Sequence, residues 1–300
     1  RWRPGPGLRA VRFHRAEQGW PNVVARRGGV LKMGAVTGHI TIKTPAEVDA
    51  MRAACRLAAQ TLKMASGLVR PGVTTEEINE AVHTHTLEAG AVPAPLNYGA
   101  DASRGIPPFP KSVCTSVNDV ICHGIPSRNE VLADGDIINI DVTCILDGFH
   151  GDTSRTFLVG EVSPDIRKLV DTTHECMMLG IRTVKPGSRV RDIGTAIEAH
   201  AKKHGYGVVE EYVGHGIGRN FHEPPQIPHY RSRGPNPRLR TGMTFTVEPM
   251  INLGGRETVL DPVDRWTVRT ADGSLSAQFE HTILVTEKGV DVLTDWAKLD

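Results

Sequence analysis

The sequence predicts a mixed α/β (α+β) fold made of two duplicated helix–helix–strand units. A Val–basic–Pro–Gly turn, followed six residues later by an acid–Ile pair, occurs twice, at residues 69–78 and 184–193. Each copy precedes a β-branched run in which an acid stands six residues after a glycine, at Gly135–Asp141 and Gly242–Glu248. The same features in the same order indicate an internal duplication of units of about 110 residues each.

The first unit is predicted to open with a short strand, His39–Lys43, followed by two capped helices. Residues 44–47 read Thr-Pro-Ala-Glu, which is a capping box with proline at the first helical position, so a helix should begin at Pro45. It should stop near the Pro-Gly turn at residues 69–72. Residues 74–77, Thr-Thr-Glu-Glu, cap a second helix that runs toward residue 90.

The second unit repeats this start with a serine cap. Ser163 and Pro164 begin a third helix, which is predicted to end at the Val-Lys-Pro-Gly turn of residues 184–187. Another strand-like run, residues 277–285, lies near the end of the chain.

Composition limits the class of protein. The chain has 300 residues, of which 39% are hydrophobic and 23% are charged, as in soluble globular proteins rather than disordered ones. No apolar run approaches the ~18 residues of a membrane span. The five cysteines are scattered without a CxxC pair, which argues against a disulfide scaffold or a zinc ribbon. We therefore expect a cytoplasmic protein.

The amino-terminal segment differs from the rest of the chain. Residues 1–32 contain seven Arg and one Lys but a single acid, which leaves residues 33–300 with 27 basic and 33 acidic groups. A mildly acidic body argues against a DNA-binding core. Residues 1–38 are predicted to be a disordered or non-native extension, and residues 39–300 a single catalytic domain. An upstream translated extension with Met33 as the natural start, a transit peptide and an arm for an anionic partner all remain open.

Four acids occupy strand-like segments, where carboxylates are uncommon and costly to bury. They are Asp141, Asp152, Glu248 and Glu280. Asp152 follows Asp141 by 11 residues across a Gly148 turn, so the two are predicted to face each other across a hairpin. No Lys or Arg stands in these runs to balance the charge, so divalent metal is the economical explanation.

A histidine offers a fifth ligand. His215 lies in the glycine-flanked run Val213–Gly218, where the backbone can pack closely around a site. Oxygen-dominated coordination with one nitrogen suits Mn, Fe, Co or Zn, and two bridging carboxylates could hold two such ions.

Two further histidines are candidates for substrate binding or proton transfer, His123 and His222. Four others lie on helix-like stretches and are interpreted as surface residues: His83, His85, His200 and His204. The motifs of zinc proteases with HExxH, of serine hydrolases with GxSxG and of nucleotide-binding P-loops do not occur.

The spaced acids and histidine, together with their flanking segments, closely resemble type I methionine aminopeptidases of the bacterial kind. The resemblance covers roughly residues 40–295 and rests on NDVICHGIP, DGFHGDTS, GHGIGRNFHE, FTVEPM and SAQFEHT. It implies the pita-bread fold, a pseudo-two-fold architecture around a curved antiparallel sheet, which agrees with the duplication.

The resemblance also implies residue roles. The ligands of two divalent metal ions would be Asp141, Asp152, His215, Glu248 and Glu280. Asp152 and Glu280 would bridge the ions, and a hydroxide held between them would attack the first peptide bond. Glu248 would accept the proton of the nucleophilic water, His222 would stabilise the developing oxyanion, and His123 would bind the scissile amide and assist proton transfer.

The methionine side chain would lie among one thiol and four aromatic rings, which suit a thioether. By resemblance these residues are Tyr98, Phe109, Cys114, Phe221 and Trp266. The chain departs from the family in two places: Phe109 stands where many members have Tyr, and the segment between Tyr98 and Phe109 is longer.

The implied function is removal of the initiator Met from nascent polypeptide N-termini when the second residue is small. Transient ribosome association and a monomeric state are expected, with no membrane partner. Two alternatives remain: a proline-specific pita-bread aminopeptidase or dipeptidase, and a non-catalytic pita-bread binding protein. The segment Val120–Pro126 favours methionine specificity, and the presence of all five ligand positions argues against a non-catalytic protein.

Overall fold

Two pairs of helices and one large antiparallel sheet form most of the part of the chain that the computed structural model describes, residues 24–25, 31–32 and 38–299. The α-helices are α1 Pro45–Ser66, α2 Thr75–Glu88, α3 Pro164–Arg182 and α4 Val190–Lys203, and two 3₁₀ turns span Ala102–Arg104 and Trp296–Lys298. The expectations for the extension at residues 1–38 concern positions that lie almost wholly outside this part.

The strands are short except for three of ten residues each, which cross the middle of the sheet. In chain order they are β1 Val24–Ala25, β2 Leu31–Lys32, β3 Val92–Pro93, β4 Cys114–Val117, β5 Val120–Cys122, β6 Ile137–Leu146, β7 Phe149–Leu158, β8 Gly207–Val208, β9 Gly214–Gly216, β10 Glu223–Ile227, β11 Thr244–Val247, β12 Met250–Asn252, β13 Thr258–Leu260, β14 Val268–Thr270, β15 Ser276–Val285 and β16 Val290–Val292.

The main sheet has the order β10-β9-β11-β15-β7-β6-β3, and every pairing in it is antiparallel. β4 also pairs with β6, β12 and β16 pair with β15, and β8 pairs with β12. The described residues also form two smaller sheets, β13-β14-β5 and β1-β2. The predicted mixed α/β class is confirmed.

Helix starts follow the capping residues as predicted. α1 begins at Pro45 with the Thr44–Glu47 capping box formed, and α2 begins after Thr74 with a second capping box. The Ser163 side chain caps α3 by accepting from the backbone N–H of Ile166. Local side-chain acceptors for the free N–H groups of the first turn therefore decide where these helices begin.

The duplication is visible in element order and in the core. α1-α2-β6 in the first unit corresponds to α3-α4-β11 in the second, and each unit buries its own hydrophobic cluster. Gly135 and Gly242 precede β6 and β11 in the same left-handed conformation, with φ of 93° and 87°. Glycine is required there because other residues rarely adopt positive φ.

The predicted strand His39–Lys43 is wrong: this segment carries no ladder in the structure. Its last residue is held instead by one backbone bond, from Lys43 N–H to the carbonyl of Gly242 at 2.8 Å, and by a buried ion pair between Lys43 Nζ and Glu223 at 2.7 Å. A strand-like pattern therefore serves here as an extended approach to the cap of α1.

Helix α1 lies directly against the β6–β7 hairpin. A Cβ atom added at Gly151 of β7 would come within 2.4 Å of the Ala54 backbone, so only glycine permits this approach. Every helix among the described residues is too short or too polar to span a bilayer.

Candidate metal centre

The predicted ligands lie on four adjacent strands of the main sheet and directly after a fifth. In spatial order, β9 carries His215, the end of β11 leads to Glu248, β15 carries Glu280, β7 carries Asp152 and β6 carries Asp141. Three ligands come from the second unit and two from the first, so the cluster spans the boundary between the halves.

The β6–β7 hairpin places its two aspartates on the same face. Its two-residue turn has φ of 50° at Asp147 and 79° at Gly148, and both residues take the positive φ of a tight hairpin turn. In the register, Asp141 pairs with Ser154 and Asp152 pairs with Thr143. The sequence predicts that the two aspartates face each other directly, but in the structure they are diagonal neighbours. They still point to the same side of the sheet.

The remaining carboxylates join them through β15 and β11. Glu280 of β15 pairs with Ser154 of β7. On its other side β15 pairs with β11, and the last residue pair of that ladder is Val247 with His281. Glu248 follows directly, and its Oε1 accepts a hydrogen bond from Thr246 Oγ1 at 2.6 Å.

His215 owes its position to the two glycines beside it. A Cβ atom added at Gly214 or Gly216 would lie 2.6 Å or 2.2 Å from the backbone of the neighbouring strands. The backbone carbonyl of Gly216 lies 3.0 Å from His215 Nδ1. Donation from Nδ1 to this oxygen leaves the Nε2 lone pair free, the arrangement found in metal-binding histidines.

The donor set fits a divalent metal. Ligand atoms of Asp152, His215 and Glu280 all lie within 4.8 Å of one another. Two buried oxygens of these acids, Asp141 Oδ1 and Glu280 Oε1, have no hydrogen-bond partner in the described part of the chain. Among residues 38–299, no Lys or Arg forms an ion pair with the four acids. Buried carboxylate oxygens that have neither a hydrogen-bond donor nor a Lys or Arg partner are suitable ligands for a metal ion.

Burial and mutual repulsion raise the pKa of all four acids. Burial, followed by the charge of Glu248, raises the pKa of Asp152 to about 8. Burial likewise raises the pKa of Glu248 to about 8, against the opposing hydrogen bond from Thr246. The pKa values of Asp141 and Glu280 are raised well above the usual range by burial and the neighbouring acids. A cation bound among them would remove this penalty.

All twelve residues predicted for the site line one pocket. The pocket contains the five predicted ligands together with Tyr98, Phe109, Cys114, His123, Phe221, His222 and Trp266. Phe109 meets Trp266 edge-on with ring centroids 5.3 Å apart, and Tyr98 lies 4.9 Å from Phe221. The sequence thus predicted the membership of the pocket; the individual roles remain predictions.

The longer segment between Tyr98 and Phe109 forms a closed loop. Phe109 N–H donates to the Tyr98 carbonyl at 2.9 Å and closes its base. Trp266 Nε1 donates to the carbonyl of Pro107 at 2.9 Å and ties the loop to the pocket wall.

Burial favours the neutral form of both predicted catalytic histidines. Burial lowers the pKa of His123 to about 4, and burial with the neighbouring His215 lowers the pKa of His222 well below its usual range. The rings of His215 and His222 are 4.1 Å apart, so His222 lies beside the ligand cluster.

Sequence reasoning missed the residues that hold the ligands. Thr143 Oγ1 donates to Asp152 Oδ1 at 2.8 Å, and His229 Nε2 accepts from the Glu248 backbone N–H at 3.1 Å. Thr143, Thr246 and Gln278 each lie two positions from a ligand on the same strand or its direct extension. The two-residue period of a strand puts such neighbours on the ligand face, so this signal was available. His229 has no comparable signal.

Comparison with known proteins agrees with this geometry. The family model described as metallopeptidase family M24 matches residues 49–287. The chain belongs to metallopeptidase family M24. It is 54% identical over 255 residues to methionine aminopeptidase A of Synechocystis, covering 85% of this chain and 97% of that protein. The crystal structure of methionine aminopeptidase from Rickettsia prowazekii has a TM-score of 0.81 at 50% identity, covering 86% of this chain and 100% of that one.

A more distant neighbour shows the fold alone. The prolidase from Pyrococcus furiosus has a TM-score of 0.67 at 22% identity, covering 85% of this chain and 65% of its own. The predicted pita-bread fold and the resemblance to methionine aminopeptidases are both confirmed.

Proposed function

We propose that this M24 metallopeptidase is a methionine aminopeptidase that removes the initiator Met from nascent polypeptides whose second residue is small. The proposal rests on one observation: the predicted metal ligands and a set of apolar side chains line the same pocket. A five-ligand acid and imidazole cluster lies beside a wall of aromatic rings and one thiol. Identity of 54% to a methionine aminopeptidase over most of both chains supports it.

The five ligands would hold two divalent ions of Co, Mn, Fe or Zn. Ions bound there supply Lewis-acid polarisation of the scissile carbonyl and lower the pKa of a water molecule. The unpaired oxygens of Asp141 and Glu280 support this assignment, because each has free acceptor capacity in a buried position. The ligand set does not distinguish among these ions.

Glu248 accepts the proton of the nucleophilic water. Its carboxylate is held at Oε1 by Thr246 and approached at Oε2 by Gln278 Nε2 at 3.5 Å. A carboxylate fixed in this way can receive a proton without reorganising.

His222 stabilises the oxyanion that develops on the scissile carbonyl, and His123 binds the scissile amide. The lowered pKa of both histidines favours the neutral imidazole, which has one N–H to donate and one nitrogen to accept. The His123 ring packs edge-on against Tyr212 and Trp266, with centroids 5.5 Å and 6.2 Å away. This packing limits its rotation and keeps the ring at the pocket wall.

The methionine side chain occupies the wall formed by Tyr98, Phe109, Cys114, Phe221 and Trp266. Phe109 and Trp266 are buried, at 2% and 6% exposure, and present apolar surface. Sulfur–aromatic contacts add about 0.3–1.5 kcal/mol each. This wall selects methionine over shorter or charged first residues.

The cellular setting follows from the substrate. We propose that the enzyme acts in the cytoplasm as a monomer, in transient association with ribosomes from which nascent N-termini emerge. Cosedimentation of the purified chain with ribosomes, and its absence at high salt, tests the association.

The activity is tested with Met-Gly-Met-Met, Met-Lys-Met-Met and an X-Pro peptide after chelation and restoration of Co, Mn, Fe or Zn. Metal-dependent release of Met from the Gly peptide, with little from the Lys peptide, is expected. Cleavage of the X-Pro peptide instead would assign the proline-specific alternative. No cleavage with any ion would favour a binding protein.

A further inference from the structure

A second group of metal-ligand side chains lies on the helical hairpin α3–α4. Glu175 of α3, His200 of α4 and His204 at its carboxyl-terminal cap bring one ligand atom each within 4.8 Å of the others. His200 Nε2 lies 2.8 Å from Glu175 Oε2, and the two imidazole rings are 5.0 Å apart. The sequence suggested only surface positions for these histidines, but both are half-buried.

Helix geometry explains why the three residues meet. Residues 200 and 204 are four apart, so their side chains lie on one face, one turn from each other. α3 and α4 run antiparallel, with Cys176 Sγ donating to the Ile197 carbonyl at 3.7 Å. This register brings Glu175 beside the last turn of α4.

The group is distinct from the catalytic pocket because the sheet separates them. His174, next to Glu175, meets the ring of Phe279 of β15 at 5.1 Å between centroids. Successive strand residues point to opposite faces, so Glu280 points away from α3 toward the pocket.

We propose that Glu175, His200 and His204 form an accessory site for a divalent transition ion such as Zn²⁺ or Ni²⁺. Two imidazoles and one carboxylate are a known zinc donor set, with water filling the open positions. The Glu175 carboxylate neutralises part of the added charge. The carbonyls at the carboxyl end of α4 also favour a cation.

Only small movements are needed to receive an ion. Zn–N and Zn–O bonds of about 2.1 Å place tetrahedral ligands about 3.4 Å apart. The 2.8 Å contact between His200 Nε2 and Glu175 Oε2 must therefore lengthen slightly as the ion takes the place of the hydrogen atom between them. The Glu175 side chain is 57% exposed and free to shift. The ring of His204 stacks on Tyr206 with centroids 5.9 Å apart, which limits its rotation.

A hydrogen bond between α3 and α4 explains the positions of Glu175 and His200 but not that of His204. His200 and Glu175 alone complete such a bond, whereas His204 adds a third ligand atom to the same spot. In the same last turn of α4, Lys202 binds Glu198 through Nζ at 2.7 Å.

Zinc stoichiometry tests the proposal. Metal-free full-length protein is equilibrated by dialysis at increasing free Zn²⁺, and bound zinc per chain is measured by elemental analysis. The His200→Ala/His204→Ala double variant is expected to bind one ion fewer than the unaltered chain. His39→Ala, which removes an exposed histidine outside the group, is the matched control and should bind as many ions as the unaltered chain.

An active-site variant separates the two kinds of site. Asp152→Asn should lower zinc binding by itself, and adding the double substitution should remove one further ion. Peptidase activity of the double variant should equal that of the unaltered chain at saturating metal. Identical zinc isotherms for the double variant and the unaltered chain would overturn the proposal.

Discussion

The hydroxyl oxygen of Tyr98 lies 2.7 Å from Nδ1 of His222. Burial raises the pKa of Tyr98, so its proton stays on the hydroxyl through neutral pH. When this hydroxyl donates to Nδ1, the neutral imidazole carries its own proton on Nε2. That tautomer has an N–H on Nε2, which the oxyanion role proposed for His222 requires. We therefore expect Tyr98 to position His222 as well as to line the proposed methionine pocket.

Replacing Tyr98 by Phe should therefore lower kcat more than it changes KM. The apolar wall is kept, but the tautomer and orientation of His222 are no longer fixed. We expect a fall in kcat of about 10-fold, in line with loss of one hydrogen bond to a catalytic group of about 1.4 kcal/mol. Steady-state kinetics on a Met-Gly peptide measure it. Tyr212→Phe, which removes another hydroxyl of the same pocket, is the control. An unchanged kcat for Tyr98→Phe would refute the positioning role.

Asp152→Asn should abolish turnover while leaving the fold intact. The amide can still accept from Thr143 Oγ1, which lies 2.8 Å from Oδ1, but a neutral amide could not take the metal-bridging role proposed for the carboxylate. A loss of kcat/KM above about 100-fold is expected, since even residues outside the ligand set cost ~10–100-fold. Removing one of four repelling acids should keep the metal-free protein at least as stable. Elemental analysis, circular dichroism and peptide assays measure these effects, with exposed Asp49→Asn as control. Normal turnover by Asp152→Asn would contradict the assignment of Asp152 as a metal ligand.

Metal should bind more tightly as pH rises from 6 to 9. The folded metal-free pKa of Asp152 and of Glu248 is about 8, above the usual 3.8 and 4.5. Because the pKa of each acid is higher in the folded than in the unfolded protein, protonation stabilises the metal-free fold. This stabilisation is fully present below the unfolded pKa and is lost as the pH rises through about 8. Metal displaces the same protons, so its stabilising effect grows over that range. The shift in Tm on adding Mn²⁺, measured at several pH values, should increase with pH. A constant shift would contradict the raised pKa values.

Lys43→Met should destabilise the fold strongly. Lys43 Nζ and Glu223 form an ion pair whose side chains are only 2% and 7% exposed. Removing the cation leaves a buried carboxylate whose charge is no longer balanced by Lys43, although its Oε1 still accepts from Asn220 N–H at 3.1 Å. We expect a loss of about 3–5 kcal/mol in the free energy of unfolding, measured with denaturant.

Two further variants test the cause of that loss. Lys43→Met combined with Glu223→Leu should recover most of the stability, because no buried charge is left unpaired. Lys298→Met breaks a pair whose lysine is 49% exposed and should cost less than about 1 kcal/mol. Equal losses for Lys43→Met and Lys298→Met would show that burial of the pair is not the cause.

Features with a local chemical cause were predictable from the sequence. Thr44, Thr74 and Ser163 start their helices because each satisfies backbone donors only a few residues away. The strand acids were detectable because carboxylates in β-branched runs are costly without a cation. The glycines around His215 were correctly interpreted as room for close packing.

What escaped prediction depends on distant parts of the chain. The partner of Lys43 is 180 residues away, and no local pattern marks it. The diagonal rather than direct placement of Asp141 and Asp152 is set by the two-residue turn, which fixes the strand register. The contact of Tyr98 with His222 joins two loops whose approach depends on the whole sheet.

The order of the predicted ligands along the chain has a consequence for how the enzyme becomes active. Asp141 and Asp152 are synthesised first, but Glu280 follows Asp141 by 139 residues and lies on β15, the strand of the second unit that pairs with β7 of the first. A growing chain therefore has no complete centre until its last long strand has emerged and inserted. Peptidase activity and high-affinity metal uptake should appear together, late in biosynthesis, as a single cooperative event.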